Sequence, residues 1–186
     1  MEEAGAFFII PFLRAVPEAA GAVLVGAHDA PTEVIITVRK PNGQVIKEVK
    51  VMAKGPATAP AVAIADLFAL ADCGVLHVEA DEWVAVHLET SIAGDRHRSQ
   101  HAANVRDGGG TVFQIDETDA RHPFAMLGNG GDTELFVFVN DMQGPFIPPF
   151  GAARIQIPKP GERLHVTVDN GEGILTYRGA FIAPSV

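Results

Sequence analysis

Between Gly74 and Thr90 the sequence GVLHVEADEWVAVHLET places Leu76 and Val78, then Val84, Val86 and Leu88, in strict alternation with His77, Glu79, Trp83, His87 and Glu89. A period of two is that of a strand with one face in an apolar core. The stretch therefore predicts two strands joined by a turn at Ala80 to Glu82, a hairpin, with Val84, Val86 and Leu88 as core residues. Its other face gathers two imidazoles, two carboxylates and the only tryptophan of the chain. Such a face is a binding surface, a metal site or a plain solvated sheet face.

The same period recurs along the chain. FFIIPFL from Phe7 to Leu13 is apolar on both faces, and its proline restricts it to an edge, a first position or a bulge. Val34, Ile36 and Val38 alternate within a third run that ends at Lys40-Pro41-Asn42-Gly43. That is the clearest turn signal present, because proline presets φ and Asn-Gly accepts positive φ. Val45 to Val51 reads as the return strand near a sheet edge. Residues 61 to 70 are compatible with a strand or one short helix. Ser91 to Gly110 breaks every period and ends in three glycines, which reads as a linker or long loop. Six further short runs lie beyond Thr111, each bounded by Gly, Pro, Asn or Asp. The expected fold is all-β, an antiparallel sandwich or jelly-roll-like arrangement with at most one short helix. The expected organisation is one β half over residues 1–90, a polar segment over 91–110 and a second β half over 111–186, with the halves able to pack as one domain.

A chain of 186 residues with 47% hydrophobic residues can build a substantial core. Its formal net charge is −9, and acids exceed bases on both sides of the slightly basic segment 91–110. No basic stripe of the kind that binds a phosphate backbone is present, so nucleic acid is not an expected partner. The opening MEEAGAFFIIPFLRAV carries acids where a secretory leader has bases, and reads as a strand. No apolar run approaches the about 20 residues of a membrane helix, so membrane insertion is not expected. One cysteine, Cys73, leaves no internal disulfide and fits a reducing, cytoplasmic setting.

Motifs for chemistry are sparse. His77 and His87, on one face of the expected hairpin with Glu79 or Glu89 nearby, are suitable zinc ligands. His97 and His101 would share a face of a helix, with Asp95 or Asp107 beside them, but the Glu that follows the first His of a metalloprotease motif is missing. Asp116, Glu117, Asp119 and His122 form an acidic group without the spacing of a hand-type calcium loop. No nucleophile elbow or phosphate loop occurs. IPKPGERLHVTVDN, with His165, resembles the second motif of the cupins, although the first cupin motif is absent before it. A cupin-like jelly-roll metalloenzyme acting on a small molecule, with a divalent metal on His77, His87 and His165, is thus one alternative. No cofactor is expected otherwise.

QGPFIPPFG over 143–151 sets Phe146, Ile147 and Phe150 among three prolines in an expected loop, an apolar contact surface with little entropy to lose on docking. Residues Ala22 to Val105, through VEADEWVAVHLET and the polar DRHRSQHAAN that follows, resemble the sensory rhodopsin transducer family of bacterial β-sandwich proteins. His87, Arg98, Gln100 and Asn104 carry the likeness, which spans less than half the chain. That resemblance implies a small oligomeric sandwich that binds a protein or small ligand and catalyses nothing. The leading expectation is a non-catalytic interaction module, a homo-oligomer contacting a protein or small ligand through Trp83, His77, His87, Phe146, Ile147 and Phe150. A structural subunit of a larger assembly is the remaining alternative.

Overall fold

In the computed structural model, residues 6–14, 17–54, 60–92, 95–101, 111–114, 124–156, 163–168 and 175–179 are described. They are all-β. Eight strands precede residue 102: β1 (Ala6–Leu13), β2 (Ala19–Ala27), β3 (Thr32–Arg39), β4 (Val45–Ala53), β5 (Ala61–Ile64), β6 (Cys73–Ala80), β7 (Val84–Ile92) and β8 (Asp95–His101). Seven follow: β9 (Thr111–Gln114), β10 (Phe124–Asn129), β11 (Leu135–Val139), β12 (Met142–Ile147), β13 (Ala152–Gln156), β14 (Arg163–Val168) and β15 (Leu175–Gly179). The antiparallel sheets run β1-β6-β3-β4, β5-β2-β7-β8, β12-β11-β14-β9 and β13-β10-β15. Among the described residues no helix is long and apolar enough to cross a membrane.

One apolar core lies between the first two sheets. Phe8, Ile10 and Phe12 of β1, Val34, Ile36 and Val38 of β3, and Leu76 and Val78 of β6 meet Val23 and Val25 of β2 and Val84, Val86 and Leu88 of β7. The expected hairpin over Gly74 to Thr90 is corrected here. β6 pairs with β1 and β3, whereas β7 pairs with β2 and β8, so the chain crosses from one sheet to the other at Asp81 to Trp83. Alternation reports which residues face a core; it does not report which strand lies alongside. Both strands keep their predicted inward sets because they face each other across the core.

β1 stands at a sheet edge, where Pro11 lacks a donor to offer. Its other face, and that of β6, are also covered: Ile9 and Val75 pack with Met126 of β10 and Ala152 of β13, flanked by Phe7, Leu13 and Cys73. Burial raises the Cys73 thiol above its ordinary value, with Asp72 adding to the shift. One open reading resolves and two expectations are revised. Residues 61–70 hold the strand β5 and a turn, with no helix. Residues 91–92 continue β7 and 95–101 form β8, so the segment expected to be a linker joins the second sheet through that strand; 93–94 and 102–110 lie outside the described residues. Gln143 to Ile147, expected in a loop, belong to β12.

The described parts of the two halves meet at turns. At the tip of the β3–β4 hairpin the Gly43 amide donates to the Lys40 carbonyl at 2.9 Å and Lys40 donates to Gln44 at 2.8 Å, with Gly43 at φ 83°. This is the expected Asn-Gly turn, closed by a left-handed glycine. A Cβ on Gly43 would overlap the Pro149 carbonyl oxygen, and one on Gly151 would overlap that of Pro41. The Ala152 amide donates to Pro41 at 2.8 Å. Opposite, the Gly151 amide donates to Pro148 at 3.0 Å, closing a turn with Pro149 and Phe150 at its centre. Phe150 has φ 53°, a left-handed conformation that favours glycine at this position.

The wholly buried Asn129 secures that turn. Its Nδ2 donates to the carbonyls of Thr133 (2.8 Å), Pro148 (3.1 Å) and Ile147 (3.3 Å), and its Oδ1 accepts the Gly131 amide at 2.9 Å. Asn129→Ala would leave these buried groups without that partner, at about 1–3 kcal/mol. Asn129→Asp would face a carboxylate towards three carbonyl oxygens with no hydrogen to donate. Urea unfolding at neutral pH is expected to rank wild type above Asn129→Ala and Asn129→Ala above Asn129→Asp. Equal stability of the two variants would show that donation by Nδ2 is not what the site requires.

Candidate functional site

The structure distributes the sequence-predicted site residues over three places. His77 lies on the face of β6 turned away from the main core, and it is buried, with 2% of its surface exposed. This corrects its expected place on an outer face. In register it stands between Ile9 of β1 and Thr37 of β3. Phe7 meets its ring edge-on at 5.8 Å and Phe150 at 5.5 Å. The Arg39 guanidinium lies 5.0 Å from the centre of the Phe150 ring and donates to the Gly43 carbonyl at 3.0 Å. Strand, hairpin tip and proline turn are thus clasped around one imidazole. Burial and the Arg39 charge push its pKa from 6.5 down to about 4, against a backbone hydrogen bond at Phe150.

The 143–151 stretch splits in two. Ile147 is fully buried and Phe150 is half-buried against His77, so neither is the exposed contact residue expected. Phe146 does face outward, 47% exposed, paired in register with Phe136, which is 42% exposed. Their rings meet at 4.2 Å and 65°. The hairpin that presents them turns at Asn140 and Asp141, both with positive φ, as a two-residue hairpin turn requires. Its register shifts between Phe136 and Phe138, and the bulged stretch of β12 holds Gly144 and Pro145 at the sheet edge. Met142, the first residue of β12, is also exposed. Trp83 is exposed at the crossing between β6 and β7, away from this pair in the chain, and its carbonyl accepts the His28 amide at 3.3 Å.

His87 occupies the outer face of the β5-β2-β7-β8 sheet, opposite Leu24 in register, and is half-buried. With Glu89, Ala22, Leu24, Val62 and Ala65 it lines an open groove of about 550 Å³. His77 and His87 therefore lie on different sheets and on faces turned away from each other, separated by at least the ~10 Å between packed sheets. The structure does not bring them together as the two zinc ligands of one hairpin. Of His165 the backbone is described, within β14, opposite Val112 of β9. Among the described residues no three His, Cys, Asp or Glu side chains are grouped to hold a metal ion. His97 and His101 fall on the strand β8 rather than a helix. The acidic group at 116–122 and Pro158, Pro160 and Gly161 of the cupin-like segment lie outside the described residues.

Sequence reasoning did not single out Phe136, Arg39 or Asn129. Phe136 was discoverable, since FVFV alternates an aromatic onto the face opposite Leu135 and Val137. Arg39 also stacks on Phe150, and Asn129 also bonds Ile147 and Pro148, partners more than ten residues away that local pattern does not reveal.

His77 gives a pH signature. Its proton affinity is lower folded than unfolded, so stability rises with pH wherever the unfolded chain holds the extra proton. Its contribution is complete above about pH 6.5 and is lost progressively down to about pH 4. Between about pH 7 and pH 5 the loss is roughly 2 kcal/mol. Urea titrations should show that decline in the wild type and not in His77→Leu; identical pH slopes would contradict the buried neutral imidazole. No family model, curated protein or solved structure matches the chain.

Proposed function

We propose that this protein is a non-catalytic interaction module that associates with a second copy of itself through the outer face of the β11–β12 hairpin. The observation that carries this reading is the exposed Phe136–Phe146 pair at a sheet edge. Aromatic side chains are enriched, and charges depleted, in the centres of protein interfaces. From Leu135 to Phe150 the only charged residue is Asp141. In a chain of net charge −9, two copies repel least where such a segment meets its like. Pro145 interrupts the donors of the edge strand, so the contact is made by ring faces rather than by continuation of the sheet.

The non-catalytic part of the reading draws on His77. A strongly shifted proton affinity is where a general base would be sought, and this imidazole is enclosed by two phenyl rings in a structural joint.

Light scattering coupled to size-exclusion chromatography tests the association. The wild type is expected at a multiple of the chain mass and the Phe136→Ser, Phe146→Ser double variant at the monomer mass, with unchanged far-ultraviolet circular dichroism. A wild type that stays monomeric at high micromolar concentration would end the self-association reading.

A further inference from the structure

Strand β4 closes one side of the first sheet, and among the described residues it pairs with β3 alone. From Lys47 to Ala53 that pairing runs without a shift, because the bulge falls earlier, at Ile46. A regular edge strand offers a row of backbone donors and acceptors to another strand. Val49 and Val51 stand opposite Ile36 and Val34 and pack against the core, so Glu48, Lys50 and Met52 take the other face, where all three are exposed. A groove of about 530 Å³ lies beside this edge, with Val49, Ala63, Ile64 and Leu70 in its lining. Among the described residues neither Glu48 nor Lys50 has an ion-pair partner.

We propose that β4 pairs antiparallel with β4 of a second copy about a two-fold axis level with Val49, so that Glu48 of each chain faces Lys50 of the other. An axis perpendicular to the sheet keeps the inner faces of both strands on one side, and it stands level with a residue. Charge selects which residue. An axis at Lys47, Glu48 or Lys50 sets like charges directly opposite, which is destabilising, and one at Val51 leaves Lys50 against Met52. An axis at Val49 turns the same side chains into two opposite-charge pairs, and Lys47 lays its methylene stem over Val51 of the other chain. Lysines ordinarily keep edge strands apart. Here the intervening acid makes the edge complementary to a strand reading acid, any residue, base, and Glu48-Val49-Lys50 is itself such a strand. The contact lies on a different strand from the Phe136–Phe146 pair and does not rest on it. Without a buried aromatic anchor it is the weaker of the two, so it dissociates on a diluting column and is read by trapping at high protein concentration. A chain holding both contacts joins two neighbours, which carries assembly beyond the dimer.

A disulfide across the axis is the test. Opposed residues of an antiparallel pair have Cα atoms about 4.5–5.5 Å apart, within the span of a disulfide. The background is the full chain with Cys73→Ser, which removes its one native thiol, and with Phe136→Ser and Phe146→Ser, which remove the aromatic contact. In it Val49→Cys is expected to oxidise to a covalent dimer at high micromolar concentration. Adding Glu48→Lys or Lys50→Glu should slow trapping about 10-fold, since two opposite-charge pairs become two like pairs. Both substitutions in one chain, or a mixture of the two singly inverted chains, should restore it. Should Val49→Cys fail to fold, sedimentation equilibrium of the same charge series with Val49 intact decides. No association, association indifferent to either inversion, or inversions that the double exchange does not rescue would overturn the pairing. The aromatic pair is absent throughout, so failure of that contact leaves this outcome unchanged.

Discussion

A single buried amide fastens the proline turn through which the described halves meet. Asn129 sits at the end of β10, and its two N–H groups are shared among three carbonyls, two of which, Ile147 and Pro148, lead into the proline turn. Its own backbone amide donates to Gly151 at 2.8 Å, and the Phe150 amide donates to Gly131 at 2.9 Å. The turn is thereby fastened on both sides. Only a turn so constrained can keep a phenylalanine at positive φ, a conformation that costs a non-glycine residue about 1–2 kcal/mol. What offsets that cost is the position it gives the ring, between His77 and the Arg39 guanidinium.

From this follows the unusual demand on β6. A strand in a two-sheet structure ordinarily has one covered face, and its alternation shows it. β6 gives Leu76 and Val78 to one core and Val75 and His77 to the other side, where β10 and the proline turn lie. The imidazole is tolerated there because it is neutral in the fold. A protonated one would stand beside Arg39 in a poorly solvated joint, with both its desolvation and the like charge against it. The histidine that looked most like a surface ligand is thus part of the packing between the halves.

Where sequence and structure agree, the determinant is local. The Pro-Asn-Gly turn and the inward residues of β3 and β7 depend on neighbours within a few positions, and both were legible. The partner of a strand is not local. Val75 to Val78 carries the same alternating signature whether β7 lies beside β6 or across the core from it, so the hairpin reading failed while its core residues held. Three prolines made 143–151 look like a loop; an edge position with a bulge accommodates Pro145 within a strand. The pairing of β7 with β8 was invisible for the same reason, since it depends on the register of β8, a strand whose polar sequence DRHRSQH has no apolar period to announce it.

These constraints also limit where the protein can meet other molecules. At β1 and β6 both faces of the first sheet are in contact with other parts of the chain, and the tip of its β3–β4 hairpin is locked against Pro149. Among the described residues, two outward faces have inner sides that are anchored in a core. One is the groove over β5, β2 and β7, backed by Val23, Val86 and Leu88. Another is the β11–β12 hairpin, backed by Leu135, Val137 and Ile147. Each presents its outward residues from a strand whose alternate residues are fixed in a core, so neither needs to order a loop before binding. The entropy normally charged to a flexible contact is small on both. They differ in chemistry: imidazole and carboxylate on the first, uncharged aromatic rings on the second. Both faces lie apart from the joint at His77, so a substitution on either leaves the packing around that imidazole in place.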